Sequence, residues 1–389
     1  MHSGRTVFSQ IMALLPLKQF HHCVDRYHGE HKVKSFSCLD QFLTLAFAQL
    51  TYRESLRDIE SCLRAVQPRL YHMGFRCPQI SRNTLAHANE QRDWRIYADF
   101  AQVLIAEARA LYAGEEFGVT LEETVFALDS TVIELCLSLF PWAPHQYSSA
   151  AVKMHTLLDL RGSLPSYLHI SGARTSDVSV LDHVPLQVGA IYVMDRGYAH
   201  FKRLYRLSQA AVFFVVRARA NTQFRRRYSR PVDRATGLRS DQTIILTGRG
   251  TSGDYPAPAR RVHFFDQQHH TDLVFLTNHF GLPALSIAQL YKCRWKVELF
   301  FKWIKQHLRI KAFYGTSVNA VKIQIWVAVS VYLLLAILKK RLGLRSDLYR
   351  ILQISSITVF EKTPLLQVFQ SLEHQVALVD PCKQLNLFD

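Results

Sequence analysis

The stretch YKCRWKVELFFKWIK, from Tyr291 to Lys305, sets polar side chains among apolar ones at regular intervals. On an α-helix, offsets of 3, 7 and 14 residues fall within roughly 60° of one another. Those positions are Tyr291, Arg294, Glu298 and Lys305, and the apolar stripe beside them is Leu290, Val297, Phe301, Ile304 and Leu308. We therefore predict one long helix, beginning near Ile287, that presents a carboxylate beside an arginine, a lysine and a phenol. A lattice of surface salt bridges would show the same pattern.

Two upstream segments are apolar runs that carry one acid each. TVFALDSTVI (124–133) indicates a buried strand interrupted by Asp129, and AIYVMDRGY (190–198) a strand that ends at Asp195. Because burying an ionised carboxylate without a partner is costly, each acid needs a cation, a metal or an exposed strand end. Together with Glu298, these carboxylates fit a centre of two Mg²⁺ ions about 4 Å apart astride a phosphodiester.

At these residues the chain resembles the DDE transposases of bacterial insertion sequences, in the group called insertion sequence family four. That group is marked by a tyrosine-arginine-glutamate-lysine signature, here Tyr291, Arg294, Glu298 and Lys305. The resemblance also covers Asp129-Ser130-Thr131, Asp195-Arg196-Gly197-Tyr198 and Lys153-Met154-His155. The N-terminal region is similar to a domain that often precedes this catalytic core. The resemblance implies an RNase H-like core with Asp129, Asp195 and Glu298 as the catalytic, metal-binding triad.

The same resemblance implies the reaction and the partners. Such enzymes cleave transposon ends and transfer them into target DNA with two Mg²⁺ ions, for which Mn²⁺ can substitute. Asp129 would bridge the metals, Arg294 and Lys305 would neutralise phosphates, and Tyr291 would hydrogen-bond one of them. The partners would be double-stranded DNA, as terminal inverted repeats and as target, and a second copy of the chain in the DNA complex. Lys153 and His155 are weaker candidates, for which a place in the core or on the strand surface is the favoured explanation.

The net charge and one cluster of arginines indicate the kind of partner. Forty-seven basic against 31 acidic residues give a net charge of +16, which favours a polyanionic partner, although a ribosome-associated protein has similar charge. Six arginines and no acids lie between Arg217 and Arg230. Within this cluster Arg225, Arg226 and Arg227 predict a DNA-contact arm, or else a solvated face.

The cysteines and the longest apolar run indicate in which cellular compartment the protein works. Seven scattered cysteines without a CxxC pair fit reduced thiols better than disulfides or a structural zinc site. The N-terminus lacks the order of a signal peptide. The longest apolar run, 325–338, has 14 residues and predicts a buried core helix, since a membrane span needs about 20. We therefore expect no membrane partner and a bacterial cytoplasmic, nucleoid-associated protein.

The periodicity predicts an all-α N-terminal DNA-binding domain (1–115), an α/β catalytic domain (116–345) and a helical C-terminal tail (346–389). The N-terminal helices are expected at 5–14, 39–50, 52–66, 83–91 and 94–111. The fourth, capped by Ser81, would present hydrogen-bonding side chains to a DNA groove or serve as a solvated connector. Those side chains are Arg82, Asn83, Thr84, His87, Asn89 and Arg92.

The catalytic domain is expected to hold a mixed sheet flanked by helices and interrupted by a β-rich insertion at about 218–283. Strands are predicted at 124–135, 152–160, 167–171, 190–194 and 211–218, with helices at 178–186 and 201–209. Shorter strands at 242–246, 260–265 and 272–276 would form the insertion. Trp295 and Trp303 are expected to be partly buried packing residues.

Three functions remain open at this stage. The signature favours a transposase that performs strand transfer. A non-catalytic DNA-binding descendant of a transposase and an RNase H-like nuclease without strand transfer are the alternatives.

Overall fold

The computed structural model describes residues 4–136, 138–146, 149–307 and 313–369, with the backbone alone at 144–146 and 149. The helices of this part of the chain are α1 (Val7–Met12), α2 (Leu17–Arg26), α3 (Cys38–Leu50), α4 (Leu56–Ala65), α5 (Arg82–Gln91), α6 (Arg95–Tyr112), α7 (Phe201–Gln209), α8 (Thr251–Asp254), α9 (Ala284–Cys293), α10 (Trp295–His307), α11 (Val318–Arg341) and α12 (Leu348–Thr358). The strands are β1 (Val125–Leu135), β2 (Pro144–Gln146), β3 (Ser149–Asp159), β4 (Leu164–Gly172), β5 (Ile191–Met194), β6 (Phe213–Arg217), β7 (Phe224–Arg230), β8 (Leu238–Leu246), β9 (Ala259–Asp266) and β10 (Thr271–Thr277).

The chain divides into two compact units. The helical unit combines residues 1–111 with 302–389, and the central unit holds residues 112–301. This division differs from the expected domains, because residues 302–345 were assigned to the catalytic domain. The reason lies in α11, which is apolar on all sides and therefore has to be covered on all sides. In the helical unit α3, α5, α12 and α1 pack against it.

The helical unit has α3 and α11 at its core. Every residue of α3 is buried, and so is nearly all of α11. By length and composition α11 could cross a membrane, but 94% of its apolar window is buried inside the protein. The apolar run at 325–338 is thus a core helix, as predicted. Helix α12 confirms a helix in the C-terminal region, while 370–389 lie outside the described residues.

Helix α5 only partly has the surface that was expected of it. Ser81 caps it, accepting a hydrogen bond from the Thr84 backbone N–H at 3.2 Å. Asn89, however, is buried and accepts a bond from Gln41 at 2.7 Å, and the Arg92 guanidinium donates to the Ser37 carbonyl at 2.8 Å. These two side chains stabilise the unit itself, so they are not free to contact DNA. The exposed part of the expected surface is Arg82, Asn83, Thr84 and His87.

The central unit is built on one mixed sheet. Its first part has the order β4-β3-β1-β5-β6, with β3 antiparallel to β1, and with β5 and β6 parallel to it. This order and these directions are those of an RNase H-like core, as the resemblance implied. Apolar side chains of β1, β5 and β6 pack with α7 to form a buried core. The segment 178–186, expected to be helical, has only a 3₁₀ turn, Asp177–Asp182.

The β-rich insertion extends this same sheet. Strand β10 pairs antiparallel with β6, and β9, β8 and β7 follow in order. Its exposed end is β7, where Arg225, Arg226 and Arg227 are all exposed. The insertion therefore places its arginines at the far end of the sheet from β4.

Candidate active site

The two strand acids lie where two parallel strands stop pairing. The last paired residues of β1 and β5 are Leu128 and Met194, and the next residues are Asp129 and Asp195. Beyond this point β1 continues against β3, while the chain leaves β5 through a 3₁₀ turn at Arg196–Tyr198. In α/β sheets, ligands bind outside the carboxyl ends of parallel strands, and this is where the pairing of β1 with β5 stops. The sheet thus brings together two acids that are far apart in sequence.

Glu298 reaches the same place from a pair of helices. The predicted single helix is wrong in detail, because α9 ends at Cys293 and α10 begins at Trp295. Arg294 joins them: its N–H donates to the Tyr291 carbonyl, and its own carbonyl accepts from the Val297 N–H at 3.0 Å. These bonds span three residues instead of four, which tightens the chain locally.

Arg294 links two of the three acids directly. Its guanidinium donates to Asp129 Oδ2 at 2.6 Å and to Glu298 Oε1 at 2.6 Å. The Tyr291 hydroxyl donates to Asp195 Oδ1 at 2.8 Å, and the same tyrosine ring lies 5.6 Å from the guanidinium carbon. All three carboxylates are therefore held by two neighbouring residues of the signature.

The electrostatics of the site differ between the two strand aspartates. Burial raises the pKa of Asp129 to about 6; the Arg294 charge opposes this rise, and the charges of Glu298 and Asp195 add to it. Burial also tends to raise the pKa of Asp195. There the Arg196 N–H, the Tyr291 hydroxyl and the nearby arginine charges prevail and lower it. The fold thus favours the ionised form of Asp195 and disfavours the ionised form of Asp129.

The donor set suits a hard divalent cation, although it is not arranged around one. Carboxylate oxygens are the ligands that Mg²⁺ prefers, and Asp129, Asp195 and Glu298 supply such oxygens. Within the described residues, no three histidine, cysteine or acidic side chains are close enough to hold a metal ion as they stand. Arg294 supplies the positive charge in this arrangement.

The other predicted residues of this segment all lie in α10. Lys305 is half-buried in α10, in the stretch that belongs to the helical unit. Trp303 packs edge-on against Tyr332 with ring centroids 4.8 Å apart, as expected of a packing residue. Trp295, in contrast, is 51% exposed, so the expectation that it is partly buried is wrong.

Two polar groups near Asp129 were missed from the sequence. Asp177 accepts a hydrogen bond from Ser130 Oγ at 2.6 Å and lies 3.1 Å from Lys153 Nζ. Tyr198, 2% exposed, has a pKa raised by burial and then by the charges of Asp129 and Asp177. Nothing in the local pattern marks Asp177, since it lies in a polar connection. Tyr198 was quoted as the last residue of the motif Asp195-Arg196-Gly197-Tyr198, but no role was assigned to it.

Comparisons with known proteins identify the family of the chain. A family model described as a transposase DDE domain matches residues 120–334, and one described as a domain of unknown function matches residues 3–76. A protein of Sinorhizobium fredii, named as transposase y4zB, is 31% identical over 291 residues, which are 73% of this chain and 79% of the relative.

Two further relatives are named for insertion sequences. The transposase of element IS5377 from Geobacillus stearothermophilus is 31% identical and aligns over 54% of this chain and 55% of its own length. That of element IS4SA from Synechocystis is 24% identical and aligns over 83% and 89%. A solved structure of the piggyBac transposase synaptic complex with hairpin DNA covers 96% of this chain and 80% of its own, with a TM-score of 0.45 at 9% identity. The match of the transposase domain over more than half of its residues shows that the chain belongs to the DDE transposase family.

Proposed function

We propose that this transposase cleaves the ends of its insertion sequence and transfers them into target DNA with Mg²⁺, and that Asp129, Asp195 and Glu298 hold the metal. The observation that carries the proposal is the convergence of these acids on Arg294 and Tyr291. Divalent cations bound there would activate the attacking hydroxyl and stabilise the departing oxygen. Mn²⁺ has the same preference for oxygen ligands and would substitute for Mg²⁺.

The protein residues have separate tasks in this proposal. Tyr291 keeps Asp195 ionised and fixed in orientation, since a hydrogen bond to the charged form favours that form. Arg294 pairs with both Asp129 and Glu298 in the free protein. When DNA binds, the guanidinium of Arg294 would exchange one of these carboxylates for a phosphate of the DNA. Lys305 would bind a phosphate further along the same strand.

Two basic surfaces of the central unit support binding of DNA. Arg225, Arg226 and Arg227 are exposed on β7, and in the described part of the chain none of the three forms an ion pair with an acid. A cavity of about 200 Å³ lies beside the turn that follows Asp195. Its lining includes Arg196, Arg217, Arg219, Arg261, Phe224 and Asp272. Such an excess of arginine suits the phosphate backbone, which is recognised without regard to sequence.

Recognition of the terminal inverted repeats would fall to the helical unit. The exposed face of α5, with Arg82, Asn83, Thr84 and His87, offers the donors and acceptors that read base edges. Two transposon ends have to be processed together, so we expect a homodimer in the DNA complex. A bacterial cytoplasmic protein associated with the nucleoid would meet these substrates.

A cleavage and strand-transfer assay tests the proposal. The donor is a plasmid that carries the inverted repeats found next to the coding region, and the products of cleavage and of joining are separated on a gel. Glu298→Gln keeps the shape of the side chain and should lower both activities by orders of magnitude. Glu134→Gln, an exposed acid further along β1, is the matched control and should cleave normally.

The outcomes separate the three functions. Cleavage and joining by the wild type, both lost in Glu298→Gln, are expected. Cleavage without joined products would favour a nuclease, and specific binding without cleavage would favour a non-catalytic descendant. Full activity of Glu298→Gln would remove this residue from the catalytic triad.

A further inference from the structure

The part of β1 that carries Asp129 pairs with β3 but no longer with β5. Strand β1 pairs with β5 only as far as Leu128, yet it continues to Leu135 against β3. A strand with a neighbour on one side is held less firmly than one with two. The position of Asp129 therefore needs support from side chains.

Ser130 provides that support through two different hydrogen bonds. Its backbone N–H donates to Asp129 Oδ1 at 2.8 Å, and its hydroxyl donates to Asp177 Oδ1 at 2.6 Å. The first bond orients the carboxylate of Asp129. The second fixes the side chain of Ser130 to the turn that begins at Asp177.

Lys153 holds Asp177 in its place. This lysine is 9% exposed, and its ammonium donates to the Thr175 carbonyl at 2.8 Å and lies 3.1 Å from Asp177 Oδ1. A nearly buried ammonium without an anion would be costly, so the pair constrains both residues. His155 does not compete for Asp177: burial lowers its pKa to about 4, and its Nε2 is bonded to Ser171.

We propose that Lys153, Asp177 and Ser130 are positioning residues that hold the carboxylate of Asp129 in the orientation that catalysis requires. The proposal rests on the function proposed above, in which Asp129 holds the metal. It assigns a role to Lys153, which the sequence left open between function and packing.

If Asp177 only anchored the turn Asp177–Asp182, its contacts with Ser130 and Lys153 would not be needed. The other end of the same turn is already tied down, because Asp182 accepts hydrogen bonds from Arg203 at 2.6 Å and from Arg206 at 2.9 Å. Asp177 moreover keeps 42% of its side chain exposed, so its burial contributes little to packing. What Asp177 and Lys153 add is the connection to Ser130.

The test uses the full chain and three variants. Ser130→Ala removes the hydroxyl and keeps the N–H, Asp177→Asn removes the charge, and Ser130→Thr restores a hydroxyl. Ser179→Ala is the control, since its hydroxyl bonds the Ser176 carbonyl within the same turn and has no contact with Asp129 in the described structure. The rate of end cleavage, the DNA concentration at half-maximal rate and the Mn²⁺ concentration that gives half of the thermal stabilisation are measured for each.

We expect Ser130→Ala and Asp177→Asn to lose about 10- to 100-fold in cleavage rate and to need more Mn²⁺, as residues that orient metal ligands do. The DNA concentration at half-maximal rate should stay unchanged, and Ser130→Thr should recover most of the rate. Wild-type behaviour of Ser130→Ala and Asp177→Asn would overturn the proposal, and so would an equal loss in Ser179→Ala. If the wild type cleaves no donor, the function proposed above fails, while the Mn²⁺ measurement still tests the positioning residues.

Discussion

Replacing Arg294 by methionine removes the cation that contacts both Asp129 and Glu298, and we expect this change to destabilise the free protein. The guanidinium is 15% exposed, and its two partners are 20% and 35% exposed. Breaking a buried ion pair by removing one partner costs about 3–5 kcal/mol, and the partial exposure of Glu298 reduces the expected loss to about 2–3 kcal/mol. In a unit of this size that loss corresponds to a Tm lower by about 6 °C.

The loss should depend on pH, because it arises from charge. Folding raises the pKa of Asp129 from 3.8 to about 6, so the folded state holds the proton more tightly and its stability falls as pH rises through that window. Without Arg294 the pKa of Asp129 rises further, and the fall in stability extends to higher pH. We therefore expect the variant to be close to the wild type near pH 4 and clearly less stable at pH 8.

Scanning calorimetry of the full chain at both pH values measures this, with Arg203→Met as the control. Arg203 also pairs with an aspartate of the central unit, but the pKa of Asp182 is lowered in the fold. The partly exposed pair of Arg203 and Asp182 should contribute less than about 1 kcal/mol to the free energy of unfolding, and that contribution is lost as pH falls. Millimolar Mn²⁺ should raise the Tm of Arg294→Met more than that of the wild type, since the carboxylates are then free. Equal Tm values for Arg294→Met and the wild type at pH 8 would refute this account of the site.

Three more predictions concern DNA and the division of the chain. Asp195→Asn should bind transposon ends as well as the wild type or better, while cleavage falls by orders of magnitude. Arg294→Ala should weaken binding and reduce the salt slope by about one. Titrations at several salt concentrations, with cleavage at saturating protein, separate the two, and an Asp195→Asn protein with poor binding but a normal rate would contradict the metal role. Replacing Arg225, Arg226 and Arg227 together by glutamine should lower the slope of log affinity against log salt by about three, as read by fluorescence anisotropy; an unchanged slope would place the DNA elsewhere. The fragment 112–301 should show the circular dichroism of a folded protein, whereas 116–389 should aggregate because α11 loses α3; a soluble, cooperatively unfolding 116–389 would restore the boundaries expected from the sequence.

The core of the site was predictable because strand patterns and helix spacing are local. Asp129 and Asp195 each stand out as an acid at an apolar run, and adjacent parallel strands bring such positions together. The break between α9 and α10 was not predictable in this way. Arg294 has good helix propensity, and its ion pair with Asp129, 165 residues away in the sequence, is visible only in three dimensions.

The other differences from the predictions arise from contacts and chain breaks that a local sequence pattern does not show. Asn89 and Arg92 belong to the hydrophilic side of a predicted helix, yet Gln41 and the Ser37 carbonyl, far away in sequence, take up their hydrogen bonds. Trp295 was expected to be partly buried and is exposed, because periodicity along one straight helix does not hold across the break at Arg294. Asp177 acquires its partners from β1 and β3, which no local window contains.

The arginines of β7 also bear on how the protein behaves in solution. In the part of the chain that the structure describes, strand β7 pairs with β8 on one side and ends the sheet, so its other row of backbone groups is available to an extended chain. Three consecutive arginines make a second copy of the same strand a poor match, since like charges would face each other. Phosphates that bind these arginines cancel that repulsion. Solubility should therefore be lowest where DNA just neutralises the protein, and it should recover when either component is in excess.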